Sequence, residues 1–256
     1  MKRINLFILL VALLCSSSAI AQDSGKMLKS NNEGWKGLRF SYDRTKAKVD
    51  VDGAFDYKFN GASVGYVHAF KLAKKVPLFM ELGGTINFAK YKETEEQVID
   101  MSDYGYSDVL TEAEASITQL GLKIPLNIVY CVKINDNVSI KPYTGFYVRV
   151  NLMAKEKAKL ETTISSDLMN DIFYNLGSEA WAEFYSSLNF EEKVNCFDED
   201  EIGREYVWNR AQVGWQIGAS LDYKRINIGI GYALDFNEIT EKTKCGIFSA
   251  NIGVNF

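Results

Sequence analysis

His68 is the only histidine in the 256 residues. Hydrolysis or acyl transfer usually needs such a base beside a Ser and a carboxylate. His68 lies in an alternating, strand-like stretch whose neighbours offer no Ser–acid partner. A lone His also excludes a His-cluster metal site. No catalytic residue, cofactor site or metal site is therefore assigned, and the expectation is a protein that is not an enzyme. The acidic run Asp198-Glu199-Asp200-Glu201 lacks the Gly spacing of a calcium loop and reads as a solvated tip.

Other chemistry-bearing residues are scattered but patterned. Arg39, Lys123, Lys141, Arg149 and Arg210 share the polar side of alternating stretches with Asp43, Glu81, Asp222 and Asp235. Signs are mixed, which argues for ion pairs filling an interior rather than a one-sign selectivity filter. Trp181, Phe184 and Tyr185 fall on one apolar stripe at helical spacing, and exposed aromatics of this kind make interface anchors. Cys131, Cys196 and Cys245 follow the N-terminal leader, so at most one disulfide forms.

These residues need elements to hold them. Lys2 and Arg3 precede an apolar stretch, 6–14, too short to span a bilayer as a helix. Ala19-Ile20-Ala21 then makes a small-x-small cleavage site before Gln22. Residues 1–21 read as a secretory signal peptide. Cys15 raises a lipoprotein alternative, but Leu14 stands where a small residue belongs. Removal of the leader takes two positive charges and moves the net charge from −4 to −6. An acidic chain without basic runs argues against nucleic acid as a partner. No later stretch is long and apolar enough for a transmembrane helix, so a membrane location requires a closed barrel.

Residues 22–35 read as a polar periplasmic tether. Period-2 alternation then predicts eight strands, at 35–46, 57–70, 78–90, 115–131, 138–154, 205–223, 226–237 and 245–256. In the last, Phe248, Ala250, Ile252, Val254 and Phe256 share one side. Connections alternate between short (70–77, 132–137, 224–225) and long (47–56, 91–114, 155–204, 238–244). The 91–114 segment reads as an acidic loop. Within 155–204, Ser165-Ser166 caps an apolar stripe of Leu168, Ile172 and Leu176. Gly177 interrupts it before Ala180, Trp181, Phe184, Tyr185 and Leu188, which predicts one broken or two short amphipathic helices.

Parity alone does not say which face is wet. The polar parity is rich in Gly, Asn, Gln and Ser, which suits a narrow filled lumen better than a solvent face. Phe70, Tyr130, Tyr223 and Phe256 all have apolar parity, and all end strands that run toward the same edge, as an interfacial aromatic girdle requires. A soluble lipocalin-like barrel is the structural rival. The expected fold is all-β, an eight-stranded antiparallel up-and-down transmembrane β-barrel spanning 36–256, with one long extracellular loop containing short helices. In that topology Cys196 and Cys245 both lie on the outside and Cys131 at the periplasmic end, so Cys196–Cys245 is the disulfide candidate.

The layout and the terminal Phe256 resemble the small eight-stranded outer-membrane barrels of the OmpA-transmembrane-domain, OmpX or OmpW kind. The Ala-Gln cleavage context and Gly-rich strands are most similar to the outer-membrane β-barrel domain proteins of Bacteroidota. The resemblance implies insertion in a Gram-negative outer membrane, contact with its lipid and lipopolysaccharide, and recognition of the C-terminal strand by the barrel assembly machinery. An extracellular ligand or protein would meet the 155–204 loop. Three functions stay open: a structural or surface-interaction barrel, a narrow porin-like channel for small solutes, and a lipid-modifying enzyme.

Overall fold

In the computed structural model, which describes residues 34–50, 56–176, 178–203 and 207–256, backbone pairing runs around a full circle. The leader, residues 22–33 of the tether, the loop residues 51–55, Gly177 and residues 204–206 lie outside the described residues. The strands are β1 (Gly34–Val49), β2 (Tyr57–Lys71), β3 (Leu78–Ile99), β4 (Val109–Tyr130), β5 (Val132–Lys133), β6 (Val138–Thr163), β7 (Asn189–Asn195), β8 (Ala211–Tyr223), β9 (Ile226–Asp235) and β10 (Thr243–Asn255). Each of β1, β2, β3, β4, β6, β8, β9 and β10 pairs antiparallel with the next, and β10 returns to β1. The result is an up-and-down ring of eight strands. Two residues of β5 pair with the start of β6, and β7 pairs with its far end.

Alternation decides the faces. On β10, Thr243, Cys245 and Ile247 are buried, while Phe248, Ile252 and Val254 are exposed. On β6, Ser139, Lys141, Tyr147, Arg149 and Asn151 are buried, while Phe146, Val148, Val150 and Leu152 are exposed. The barrel is apolar outside and polar inside, the inverse of a soluble barrel, and no open edge remains in the ring. Outward Trp215 donates its indole N–H to the Thr144 hydroxyl at 2.8 Å, so this polar group on the apolar face is satisfied by a neighbouring strand.

The ring is uneven. β3, β4 and β6 run 22, 22 and 26 residues, whereas β8, β9 and β10 run 13, 10 and 13. The segment expected as an acidic loop, 91–114, is instead the prolongation of β3 and β4, paired out to Ile99↔Val109 and closed over a 3-10 turn at Ser102–Tyr104. Residues 155–163 likewise continue β6, paired with β4 on one side and β7 on the other. Both prolongations are polar on both faces, so hydrophobic alternation does not report them. Cross-strand ion pairs hold them instead: Lys92–Glu114 and Lys157–Glu191, each at 3.0 Å. Lys92 keeps the Glu114 carboxyl below the usual carboxylate range, and Lys193 with Lys157 does the same for Glu191.

Two strand starts also move. β1 begins at Gly34, so Gly34 and Trp35 belong to the barrel, not the tether. β8 begins at Ala211, not 205. The helices form where expected, as α1 (Ser166–Leu176) and α2 (Ser178–Leu188), and the acidic run adds a four-residue α3 (Glu199–Ile202). Ser165 Oγ accepts the Leu168 N–H at 3.4 Å, capping α1. Asp198 caps α3 by accepting the Asp200 N–H at 3.1 Å.

A β-bulge sits in β6 opposite Leu120 and Gly121. Leu120 pairs with Met153 but Gly121 pairs with Asn151, so Leu152 is the extra residue. The bulge reverses the parity of β6 beyond it. Ala154 becomes fully buried, and Glu156 and Ala158 turn to the axis side.

Interior glycines make room for tyrosines. A Cβ at Gly214 would collide with the Tyr147 ring, and one at Gly218 or at its register partner Gly231 would collide with the Tyr143 hydroxyl. Gly218→Val is expected to cost about 1–3 kcal/mol by overpacking. Gly84→Ala, where a Cβ meets nothing within 4 Å, should leave stability unchanged or slightly raised. Urea unfolding in lipid vesicles, followed by heat-dependent gel mobility, checks the contrast.

Candidate functional site: a plugged lumen and a loop-end crown

The lumen is built in three layers. At the short-turn end, Trp35, Ala69, Phe79, Val129 and Cys131 form a buried cluster. The Trp35 and Phe79 rings meet at a tilt of 52°, with centroids 4.9 Å apart. The Lys141 ammonium lies 3.5 Å from the Trp35 ring centroid, a cation–π contact inside the barrel. The Trp35 indole also donates to Glu81 at 3.0 Å.

The middle layer is polar. Arg149 donates to Asp235 at 2.6 Å, and both side chains are buried. Tyr147 donates its hydroxyl to the other Asp235 oxygen at 2.5 Å. Lys141 pairs with Asp222, which also accepts from Asn227 at 2.6 Å and Asn255 at 3.0 Å. Arg39 donates to Asn255 at 2.7 Å, and Ser41 donates to Asp43 at 3.0 Å. Lys123 stands 4.3 Å from the Tyr147 ring centroid. Amides join the charges: Gln216 to Asn127 and Gln119 to Asn151, both at 2.6 Å. A cavity of about 150 Å³ remains, lined in part by Arg39, Asp43, Glu81, Lys123 and Arg149. Among the described residues, Asn87 Oδ1 and Arg149 Nε are buried without a hydrogen-bond partner, and both residues line this cavity.

The third layer is the loop-end mouth. Ala47, Phe59, Ala89, Ile117, Ala154, Cys196, Ile239 and Cys245 form one buried cluster, with Tyr91, Phe197, Ile202 and Trp208 against it. Arg210, expected in the lumen, is exposed here and covers the Phe197 ring at 4.0 Å. It precedes β8, so strand parity does not apply to it. Its carbonyl accepts the Asn151 N–H at 2.7 Å.

The remaining expected residues are placed as follows. Phe70, Tyr130, Tyr223 and Phe256 are all exposed at the short-turn end. His68 is exposed on the outer face beside Phe70, with ring centroids 5.9 Å apart. Its side chain makes no hydrogen bond or ion pair among the described residues. In the crown, Trp181 packs against Phe184 at 5.9 Å, Tyr185 at 5.8 Å and Phe173 of α1 at 5.6 Å, so the two helices lean on each other through aromatics. Tyr185 and Tyr174 remain exposed. Cys196 and Cys245 share the mouth cluster, while Cys131 lies in the cluster at the opposite end; the structure holds all three as free thiols. Burial pushes the Cys196 thiol up to about 12. Alternation missed Trp35 and Phe79 as interior residues because they are aromatic and sit at strand starts. The signal lies in their parity, which matches Arg39 on β1 for Trp35 and Glu81 on β3 for Phe79.

A closed antiparallel ring with an apolar exterior and an ion-paired interior defines a membrane-spanning β-barrel. The chain belongs to the outer membrane protein beta-barrel domain family, whose model matches residues 36–241, and it is an outer-membrane protein. Similar solved structures include Ail, the attachment invasion locus protein of Yersinia pestis, in complex with the heparin analogue sucrose octasulfate. It is 15% identical, the match covers 88% of this chain and 99% of that one, and the TM-score is 0.32. Neisserial surface protein A is 12% identical, with 86% and 97% covered and a TM-score of 0.35. The N-terminal β-barrel domain of Pseudomonas aeruginosa OprF is 12% identical, with 88% and 100% covered and a TM-score of 0.30. No curated protein sequence matches the chain significantly.

Breaking a buried ion pair leaves an uncompensated charge, whereas replacing both partners by apolar groups does not. Arg149→Met is expected to cost about 3–5 kcal/mol. The double variant Arg149→Met/Asp235→Leu should recover much of that loss. Urea midpoints in vesicles measure both, and a single variant as stable as the double contradicts this account.

Proposed function

We propose that this outer-membrane barrel is non-enzymatic and acts as a structural or surface-interaction protein through its long extracellular loop. The observation that carries the reading is a contrast between the two ends of the axis. Trp35, Phe79, the Lys141–Asp222 and Arg149–Asp235 pairs, Tyr143 and Tyr147 obstruct the lumen. The loop end instead carries the prolonged strands and two helices with exposed aromatics. In this reading the short-turn end faces the periplasm, Phe70, Tyr130, Tyr223 and Phe256 sit at the lipid interface, and the C-terminal strand is presented to the barrel assembly machinery. Lipid and lipopolysaccharide surround the outer face. Trp181, Phe184 and Tyr185 organise the surface that an extracellular ligand or protein would meet. His68, exposed to lipid without a Ser or acid partner, gives no support to a lipid-modifying enzyme. The 150 Å³ central cavity supports the rival reading of a narrow solute channel.

Planar-bilayer recording separates the two. The purified chain is expected to give no resolved conductance steps, and reproducible steps overturn the plugged-barrel reading. In parallel, chymotrypsin added to intact cells should cut within 164–190, at exposed aromatics such as Tyr174 and Tyr185, and leave the barrel whole. Cutting only after cell lysis contradicts an outward crown.

The two mouth cysteines extend the same reading. Thiol–disulfide exchange with an oxidised protein disulfide in the periplasm would remove both hydrogens, reduce that donor and join Cys196 to Cys245. The bond would tie the end of β7 to the rim at β10. Mass mapping under non-reducing conditions should recover a Cys196–Cys245 peptide pair and a free Cys131. Any pair that includes Cys131 rules the tether out.

A further inference from the structure

The loop-end mouth contains a second cavity, of about 440 Å³. This volume falls within the range of small-molecule sites. Its position follows from the bulge at Leu152. Beyond that point β6 turns Ala154, Glu156 and Ala158 inward, where a regular strand would have turned Lys155 and Lys157. The chamber lies between this stretch with β7 and α3 on one side and the rims of β1, β2 and β10 on the other. Phe59, Trp208 and Ile239 supply apolar wall, and Phe59 and Trp208 meet edge to face at 6.4 Å.

Its charge is one-sided. Glu156, Glu192 and Glu201 line the chamber, and no described Lys or Arg does. Glu201 accepts the Asn195 N–H at the wall. Glu156 is half-buried, and its side chain makes no hydrogen bond or ion pair among the described residues. On the prolonged strands Glu114 pairs with Lys92, Glu161 with Lys159 and Glu191 with Lys157, whereas Glu95, Glu96, Glu112 and Glu192 make no ion pair among the described residues. Glu156 differs from those in lining the chamber beside Phe59 and Trp208 while being desolvated. Burial raises its affinity for a proton, the same cost that an incoming cation would offset.

We propose that this chamber binds a small amphipathic cation: an organic amine whose apolar body lies against Phe59 and Trp208 and whose ammonium meets Glu156. The aromatic faces attract the cation and the walls bury its body. Anionic analogues are repelled by three carboxylates, and neutral ones leave Glu156 unpaired. A bare metal ion does not suit the walls, and no group of three metal-ligating side chains is assembled among the described residues. The chamber uses no residue of α1 or α2, so the proposal stands or falls separately from the surface role of the helical crown.

The test uses the full mature chain in lipid nanodiscs with isotope-labelled indoles. Phenethylammonium, phenethyl alcohol and phenylpropionate are titrated, and the Trp208 indole signal, assigned by Trp208→Phe, is followed. The ammonium should give a saturable shift at Trp208, with the alcohol and the carboxylate binding at least about tenfold more weakly. Glu156→Gln, checked for unchanged heat-dependent gel mobility, should weaken the ammonium about tenfold and leave the alcohol where it was. Equal binding of all three ligands to the unmodified chain overturns the proposal, and needs no variant. So does a shift that grows linearly with partitioning into lipid, or an unchanged ammonium affinity in Glu156→Gln.

Discussion

Hydrocarbon offers the backbone no hydrogen bonds, and from that constraint the rest of this molecule follows. A sheet in lipid must close, because an open edge would leave a row of amides and carbonyls unpaired. Closure with eight strands gives a lumen too narrow to be left empty. Alternation then delivers every second residue to that narrow space. The sequence meets the demand with glycines opposite tyrosines, amides in chains, and acids matched to bases. Gly214 beside Tyr147 and Gly218 beside Tyr143 are two instances of one solution: a residue with no side chain yields its volume to an aromatic across the strand pair.

Where burial alternates, the fold was legible in the sequence. Phe248, Ile252 and Val254 against Cys245, Ile247 and Asn251 state the faces of β10 without further information. Arg39, Asp43, Glu81, Lys123, Arg149, Asp222 and Asp235 were placed in the lumen by parity alone. The pairings were not legible: nothing along the chain says that Lys141 takes Asp222 while Arg149 takes Asp235. Those choices depend on strand stagger, which alternation leaves free. Arg210 went astray for a different reason. It precedes the true start of β8 and covers Phe197 from outside the ring, so the strand's period does not govern it.

The least legible regions are those where water reaches both faces. Lys92, Thr94 and Glu96 alternate with Glu93, Glu95 and Gln97, and neither set is apolar. A strand held by cross-strand charge pairs carries no hydrophobic period, so it reads as a loop. The bulge at Leu152 is similarly silent. One additional residue in β6 exchanges the inward and outward sets of the eleven positions that follow, and the sequence there, Leu152-Met153-Ala154, is apolar on both parities. The helices are the converse case. A Ser cap and a stripe at 3.6-residue spacing announce α1 and α2 wherever they sit, because their pattern is internal to the segment.

The unequal strands give the molecule a direction. Beyond the bulge, β6 continues for the eleven residues Met153 to Thr163, about 35 Å measured along the strand. β3 and β4 rise beside it, while β8, β9 and β10 stop near the rim. The barrel is thus built like a tower with one tall wall and one low parapet. A body arriving from the side of the tall wall touches charged strand and helix well before it nears the bilayer. One arriving over the parapet comes directly to the mouth. The mouth is thereby open toward one side and screened on the other, a difference set by strand length alone.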